Sequence, residues 1–387
     1  MKHPAIGILA AALVVSGPVT ASAKPVASSA EVERIAKQAM SDTGARGLAI
    51  AVIDRGKVKS VRTFGDRNAN GDPLTPDTIM YGASLTKAVF GYYIAILAGR
   101  GKLDLDRPIA TMLEKPLPEY GNLDAYGNWG DLADDPRWKT ITPRMTLNHA
   151  TGFANFSFLE PDQKLRIHFR PGSRYGYSGE GVMLLQFALE KGLGTNLGEA
   201  LNREVFAPLG MTNTSLIWRA DFAANLADGW KSDGSVEPHD ERSRVRAAGS
   251  MDTSIRDMAE MTAAMVSGWG QSGSSKGLFS NGSLPITTRS QFPSLQAEAP
   301  ASERPKASAA LGVIAFDGPQ GRGFFKGGHN DSTANSMVCV YRRQRCVLIM
   351  ANDVRAEAAF PAIVRDVLGD TGVPYAWEYP ALFPARP

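Results

Sequence analysis

Tyr81-Gly82-Ala83-Ser84-Leu85-Thr86-Lys87 runs directly into Ala88-Val89-Phe90-Gly91-Tyr92-Tyr93-Ile94-Ala95-Ile96-Leu97, and this stretch decides the fold. After Lys87 the segment is apolar almost all round to Ala98, then stops at Gly99 and Gly101. A helix apolar on every face belongs in a core. Its first turn nevertheless carries a serine and a lysine three residues apart, a spacing that puts both on one face. A Ser at a helix start has its own N–H free, beside the positive end of the helix dipole. A Lys held in that first turn is pressed by burial and by the dipole toward its neutral form, which suits proton transfer near neutral pH. Ser84 is therefore expected to be a nucleophile and Lys87 its activator. S-x-x-K alone also fits a capping serine followed by a solvent-facing lysine. This is the single S-x-x-K of the chain, and it opens the most apolar helix.

Working outward, Ser29 to Gly44 reads as an amphipathic helix with Val32, Ile35, Ala36 and Met40 on one face. Gly47 to Ile53 and Val58 to Phe64 read as two strands around the turn Asp54-Arg55-Gly56-Lys57. The far end mirrors this. Ser336 to Tyr341 and Cys346 to Ala351 read as strands around Arg342-Arg343-Gln344-Arg345, and a helix from about Phe360 to Leu368 follows, with Pro361 tolerable in its first turn. The expected fold class is α/β: one antiparallel sheet built from both chain ends, flanked by helices, with a large, mostly helical insertion. The sheet-bearing part covers about 29–67 and 310–370, the helical part about 68–300. Residues 270–309, rich in Ser, Gly and Pro, read as a long loop with weak structure of its own. Cys339 and Cys346 fall opposite each other, as a cross-strand disulfide or as two buried thiols.

The chain has 387 residues, 43% hydrophobic and 21% charged, which is ordinary globular composition. Its 42 basic and 39 acidic residues leave a net charge of +3, and that balance gives no reason to expect nucleic-acid binding. Two cysteines cannot make a disulfide scaffold or a four-cysteine zinc site. Lys2, the apolar run Ala5 to Val15, and Ala21-Ser22-Ala23 form the three-part pattern of a secretory signal peptide over residues 1–23. Residues 24–387 are then an exported domain, periplasmic or secreted, with no membrane span in the mature form.

Several further segments, in order, resemble the serine β-lactamase and penicillin-binding-protein superfamily. The branch is that of class C β-lactamases, D-Ala-D-Ala carboxypeptidases, D-aminopeptidases and family VIII esterases. Leu103-Asp104-Leu105-Asp106-Arg107-Pro108 follows the nucleophile helix, and Leu147-Asn148-His149-Ala150-Thr151-Gly152 is similar to the family's L-L-x-H-T-S-G. Pro171-Gly172-Ser173-Arg174-Tyr175-Gly176-Tyr177-Ser178 resembles P-G-x-x-x-x-Y-S-N. Pro208-Leu209-Gly210-Met211 and Ala247-Ala248-Gly249-Ser250-Met251 match two more segments. The resemblance covers about Ser29 to Leu368. It implies an exported serine hydrolase acting through a Ser84 acyl-enzyme on an amide or ester. An esterase or peptidase is one form; a β-lactamase or carboxypeptidase is another, and a non-catalytic penicillin- or peptide-binding module a third. It implies no cofactor and no metal. The implied partner is a small-molecule or peptide substrate.

The resemblance places Tyr177 in the second motif, where a phenol beside a cationic lysine can take the Ser84 proton and pass it on. Tyr175 is its rival. Gly179 stands where that motif has Asn, a departure that weakens the β-lactam reading. For the third motif, K-T-G or H-x-G, Phe324 to Thr333 offers two registers. His329-Asn330-Asp331 is preferred, and it makes the N–H groups of Ser84 and Ser332 the oxyanion hole. Lys326-Gly327-Gly328 is the alternative. In the preferred register Asp331 would disfavour a substrate carboxylate. His149, His168 and His239 are expected in structural or loop positions, and no G-x-S-x-G nucleophile elbow is read. Trp129, Trp138 and Phe292 are expected in loops able to roof the cleft.

Overall fold

The computed structural model describes residues 25–383, so the signal-peptide reading over 1–23 lies outside the described residues. Eight strands form one antiparallel sheet. They are β1 (Gly47–Asp54), β2 (Lys57–Gly65), β3 (Leu284–Pro285), β4 (Ala307–Ala309), β5 (Ile314–Gly318), β6 (Gly321–His329), β7 (Ala334–Val340) and β8 (Arg345–Ala351). Their order is β2-β1-β8-β7-β6-β5-β4-β3, so the two chain ends pair inside the sheet, with Ala49 opposite Met350. The named helices are α1 (Ser29–Thr43), α2 (Leu85–Gly99), α3 (Gly179–Gly192), α4 (Ile255–Ser267), α5 (Phe360–Leu368) and the single turn α6 (Tyr375–Glu378).

β1 is apolar at successive positions because both its faces are covered. Leu48, Ile50 and Val52 pack with α1 and α5, while Ala49, Ala51 and Ile53 pack with α2 and α4. A strand alternating apolar with polar residues could not sit there. α1 starts in a capping box: Ser28 accepts from the Glu31 N–H, and the Glu31 carboxylate accepts from the Ser28 N–H at 2.7 Å. Gly44, at φ 71°, ends it. Cys339 and Cys346 are joined by a disulfide across β7 and β8.

The sheet from both ends and the closing helix match the sequence reading. The extent of the insertion does not. Residues 284–285 and 307–309, read as helical part or loop, add β3 and β4 to the sheet edge. Two- and three-residue strands carry too few side chains to show a period, so pattern reading passes over them. The remainder of the insertion holds α2, α3, α4, short helical turns and two-residue ribbons.

Candidate active site

The site lies where the start of α2 meets the open edge of β6. β5 pairs with β6 only as far as Phe325, so Lys326 to His329 face a cleft with no strand partner on that side. The cleft has a volume of about 620 Å³.

Ser84 sits at the N-cap position of α2, yet its side chain makes no capping bond. Its Oγ lies 2.9 Å from the Tyr177 hydroxyl and accepts from Lys87 Nζ, also at 2.9 Å. The backbone is aimed by Ala83, whose φ of 45° is left-handed, a conformation that costs a non-glycine residue about 1 kcal/mol. Such a cost at a turn just before a reactive side chain is strain stored to fix direction. Lys87 is 2% exposed and its Nζ also donates to the Ala248 carbonyl at 2.5 Å. The segment that carries it is pinned one residue earlier: the Ala247 N–H donates at 2.8 Å to Gln186 Oε1, buried in α3. Burial pushes the Lys87 ammonium below its usual value, Lys326 pushes the same way, and Tyr177 opposes them.

Tyr177 immediately precedes the Ser178 cap of α3. Below it, His149 Nδ1 accepts from the Ser178 N–H at 3.2 Å, and the two rings lie 4.5 Å apart. Burial first, then Lys87 and Lys326, hold His149 well below the ordinary histidine range, so it stays neutral and structural. Across the cleft, Lys326 is buried with its Nζ 5.2 Å from the Tyr177 ring centre and donates to the Gly327 carbonyl at 2.7 Å. Gly328 passes so close to the helix start that a Cβ there would stand 2.9 Å from the Ser84 nitrogen. Only glycine permits that approach.

A model of the Beta-lactamase family matches residues 32–367. The chain belongs to the Beta-lactamase family. Similar curated proteins include Lovastatin esterase of Penicillium rubens, 26% identical over 220 residues, covering 49% of this chain and 54% of that protein. Another is the D-alanyl-D-alanine-carboxypeptidase/endopeptidase AmpH of Escherichia coli, 26% identical over 193 residues, covering 48% and 49%. The chain thus spans about half the length of the curated relatives it matches. Among solved structures, D-alanine carboxypeptidase AmpC from Burkholderia cenocepacia superposes with a TM-score of 0.67 at 16% identity, covering 88% of this chain and 98% of that one. That likeness carries the fold.

Within this member of the Beta-lactamase family, several residues lie elsewhere than the sequence led one to expect. Lys326 and His329, the two candidate strand-motif residues, both line the cleft, but their side chains take different directions. Lys326 and Gly328 face Tyr177 and Ser84, whereas the His329 ring turns to Glu357, 3.0 Å from Nδ1, and stacks on Phe292. Ser332 lies away from Ser84: its N–H donates to Asn330 Oδ1 at 3.1 Å and its carbonyl accepts from the Trp230 N–H. Asp331 is an exposed residue of the β6–β7 connection, outside the cleft. In the sequence Gly-His reads as a strand start, while here it ends the strand.

Gly179 has a steric cause: the Phe156 ring stands 2.3 Å from where a Cβ would be. Asn155 supplies an amide at the cleft instead, its Oδ1 accepting from the Gly179 N–H at 2.9 Å. Tyr175 is buried and bonded to Gln291, and of the two tyrosines only Tyr177 reaches Ser84. Trp129 and Trp138 are core residues, while Phe292 does line the cleft. His239 lies in a loop, as expected, with its side chain packed against Asp252 at 3.0 Å. Gly273-Ser274-Ser275-Lys276-Gly277 does spell G-x-S-x-G, but it lies in a turn region carrying a single 3-10 turn, with no strand leading into it. Glu378 and Tyr379, from the last helical turn, also line the cleft. No local motif marks them; only the fold brings residue 378 to residue 327.

Proposed function

We propose that the protein is an exported serine hydrolase that cleaves an ester or amide through an acyl-enzyme on Ser84. The observation that carries this reading is the hydrogen-bonded group Lys87 Nζ, Ser84 Oγ and Tyr177 OH, with both contacts at 2.9 Å. Ser84 Oγ attacks the substrate carbonyl as its proton passes to the Lys87–Tyr177 pair. The pair then protonates the leaving oxygen or nitrogen. Water repeats the sequence in reverse and frees Ser84. The lowered proton affinity of Lys87 fits it for accepting that proton near neutral pH.

Two backbone N–H groups suit the oxyanion. One is that of Ser84. The other is that of His329: the Asn330 N–H donates toward β7 at 3.1 Å, and strand alternation turns the preceding N–H to the cleft. His329 thus contributes its main chain, with Lys326 as the strand-motif side chain. Esterase and carboxypeptidase names among similar proteins support acyl transfer. Export is supported by Lys2, Ala5 to Val15 and the A-x-A at 21–23, and by a disulfide that needs an oxidising compartment. Among the described residues no helix is long and apolar enough to cross a membrane.

The test is a fluorophosphonate probe followed by intact-mass and peptide mapping. One adduct on Ser84 is expected, with hydrolysis of p-nitrophenyl butyrate falling about a thousandfold or more in Ser84→Ala. An adduct elsewhere, or none, overturns the mechanism.

A further inference from the structure

A buried lysine in a substrate cleft is an unusual charge to leave exposed to substrate alone. Lys326 is 4% exposed at the foot of the cleft. An ammonium there would draw a substrate carboxylate, because partial burial strengthens the attraction. The chain brings a carboxylate of its own. Glu378 is 3% exposed, lines the same cleft as Lys326, and its Oε2 has no hydrogen-bond partner among the described residues.

A second observation is independent of charge. A Cβ at Gly327 would stand 2.1 Å from the Tyr379 hydroxyl and 2.7 Å from Glu378 Oε1. No side chain fits at position 327, because the turn carrying Glu378 and Tyr379 already fills that space. Burial raises the proton affinity of Glu378, and Lys326 and then His329 draw it back down.

From this arrangement we propose that Glu378 occupies a carboxylate subsite beside Lys326, so that the enzyme takes substrates that bring no carboxylate to that end of the cleft. The proposal rests on the hydrolase reading for its substrate class, though the anion subsite itself stands apart from turnover. Glu378 acts as a specificity residue: it screens Lys326 and repels a second anion. Neutral esters and amides are then accepted, and substrates with a carboxylate next to the leaving group are rejected.

Two measurements on the full chain test this. The first compares p-nitrophenyl butyrate with its 3-carboxy-4-nitrophenyl counterpart, which differs by one carboxylate on the leaving group. In wild type the neutral ester is expected to lead in kcat/KM by about tenfold or more, and Glu378→Gln to narrow that ratio about fivefold. The second needs no turnover. Glu378→Ala should regain a small anion site, so sodium acetate should raise its Tm saturably, by about 2 °C or more over sodium chloride at equal ionic strength. Wild type should show no acetate-specific rise. A wild-type ester ratio near one, a ratio unmoved in Glu378→Gln, or equal acetate responses would overturn the proposal. If neither ester turns over and Ser84 stays unlabelled, the hydrolase reading fails, and the acetate response alone decides whether Glu378 fills an anion subsite.

Discussion

Two buried lysines flank Tyr177 at almost the same distance, Lys87 Nζ at 5.1 Å from the ring centre and Lys326 Nζ at 5.2 Å. Both are pushed by burial toward the neutral form. Their neighbours differ. Lys87 touches a serine hydroxyl and a backbone carbonyl, and the main charged influence besides Tyr177 is the repelling Lys326. Lys326 has the carboxylate of Glu378 drawing its proton affinity back up. In the proposed mechanism Lys87 exchanges a proton with Ser84, while Lys326 feels the carboxylate of Glu378. Burial alone does not assign a lysine its task; the group opposite it does.

The sharpest break in that comparison comes from the proton-handling side. Tyr177→Phe and Lys87→Met should each lower p-nitrophenyl butyrate turnover about a hundredfold or more, the scale of general acid–base catalysis, with thermal unfolding still cooperative. A Tyr177→Phe variant at wild-type rate would remove the tyrosine from the proton path. On the other side, Lys326→Met should lose about tenfold or less on the same neutral ester, roughly 1.4 kcal/mol. His329→Ala should change it by less than about threefold, since the main-chain N–H stays. Equal losses at Lys87 and Lys326 would erase the distinction between the two.

The smallest effect is one of stability against pH. Lys87 titrates lower in the folded chain than its unfolded value of 10.5. Between those two values the unfolded chain binds more protons, so wild-type stability rises with pH across that window and carries its full penalty below it. Urea unfolding of wild type and Lys87→Met from pH 7 to pH 10.5 should show the difference moving toward wild type as pH rises. The shift should be about 1.4 kcal/mol per unit of depression. Parallel curves would mean that Lys87 stays charged through folding.

The same contrast separates what the sequence made legible from what it hid. Ser84 and Lys87 could be read because they share one helical turn, and the apolar length of α2 says that the turn is held in a core. Helix α5 was legible to its boundaries, and β1 and β8 were legible as strands of one sheet built from both chain ends. Tyr177 needed the resemblance, since Tyr175 has an equal claim on spacing. The strand motif was legible as a region but not as a register, because both Lys326-Gly327-Gly328 and His329-Asn330-Asp331 begin with a cation. What decides between them is the contact of Gly328 with the Ser84 nitrogen, which is long-range. Glu378 was illegible for the same reason: its meaning lies in Gly327, about fifty residues earlier.

The position of β1 beside β8 has a consequence for how the molecule comes into being. During synthesis β1 can pair only with β2, a strand exposed or half-exposed along its length. Its other edge waits for β8, some three hundred residues later. Until that strand arrives the most apolar strand of the chain keeps an open row of backbone donors and acceptors, a template for pairing with the wrong neighbour. The sheet therefore closes last at an interior junction, between β1 and β8. A truncation that removes β8 strips an interior strand that β1 and β7 both pair with, and such a fragment should aggregate where a loss of α6 would only open the cleft.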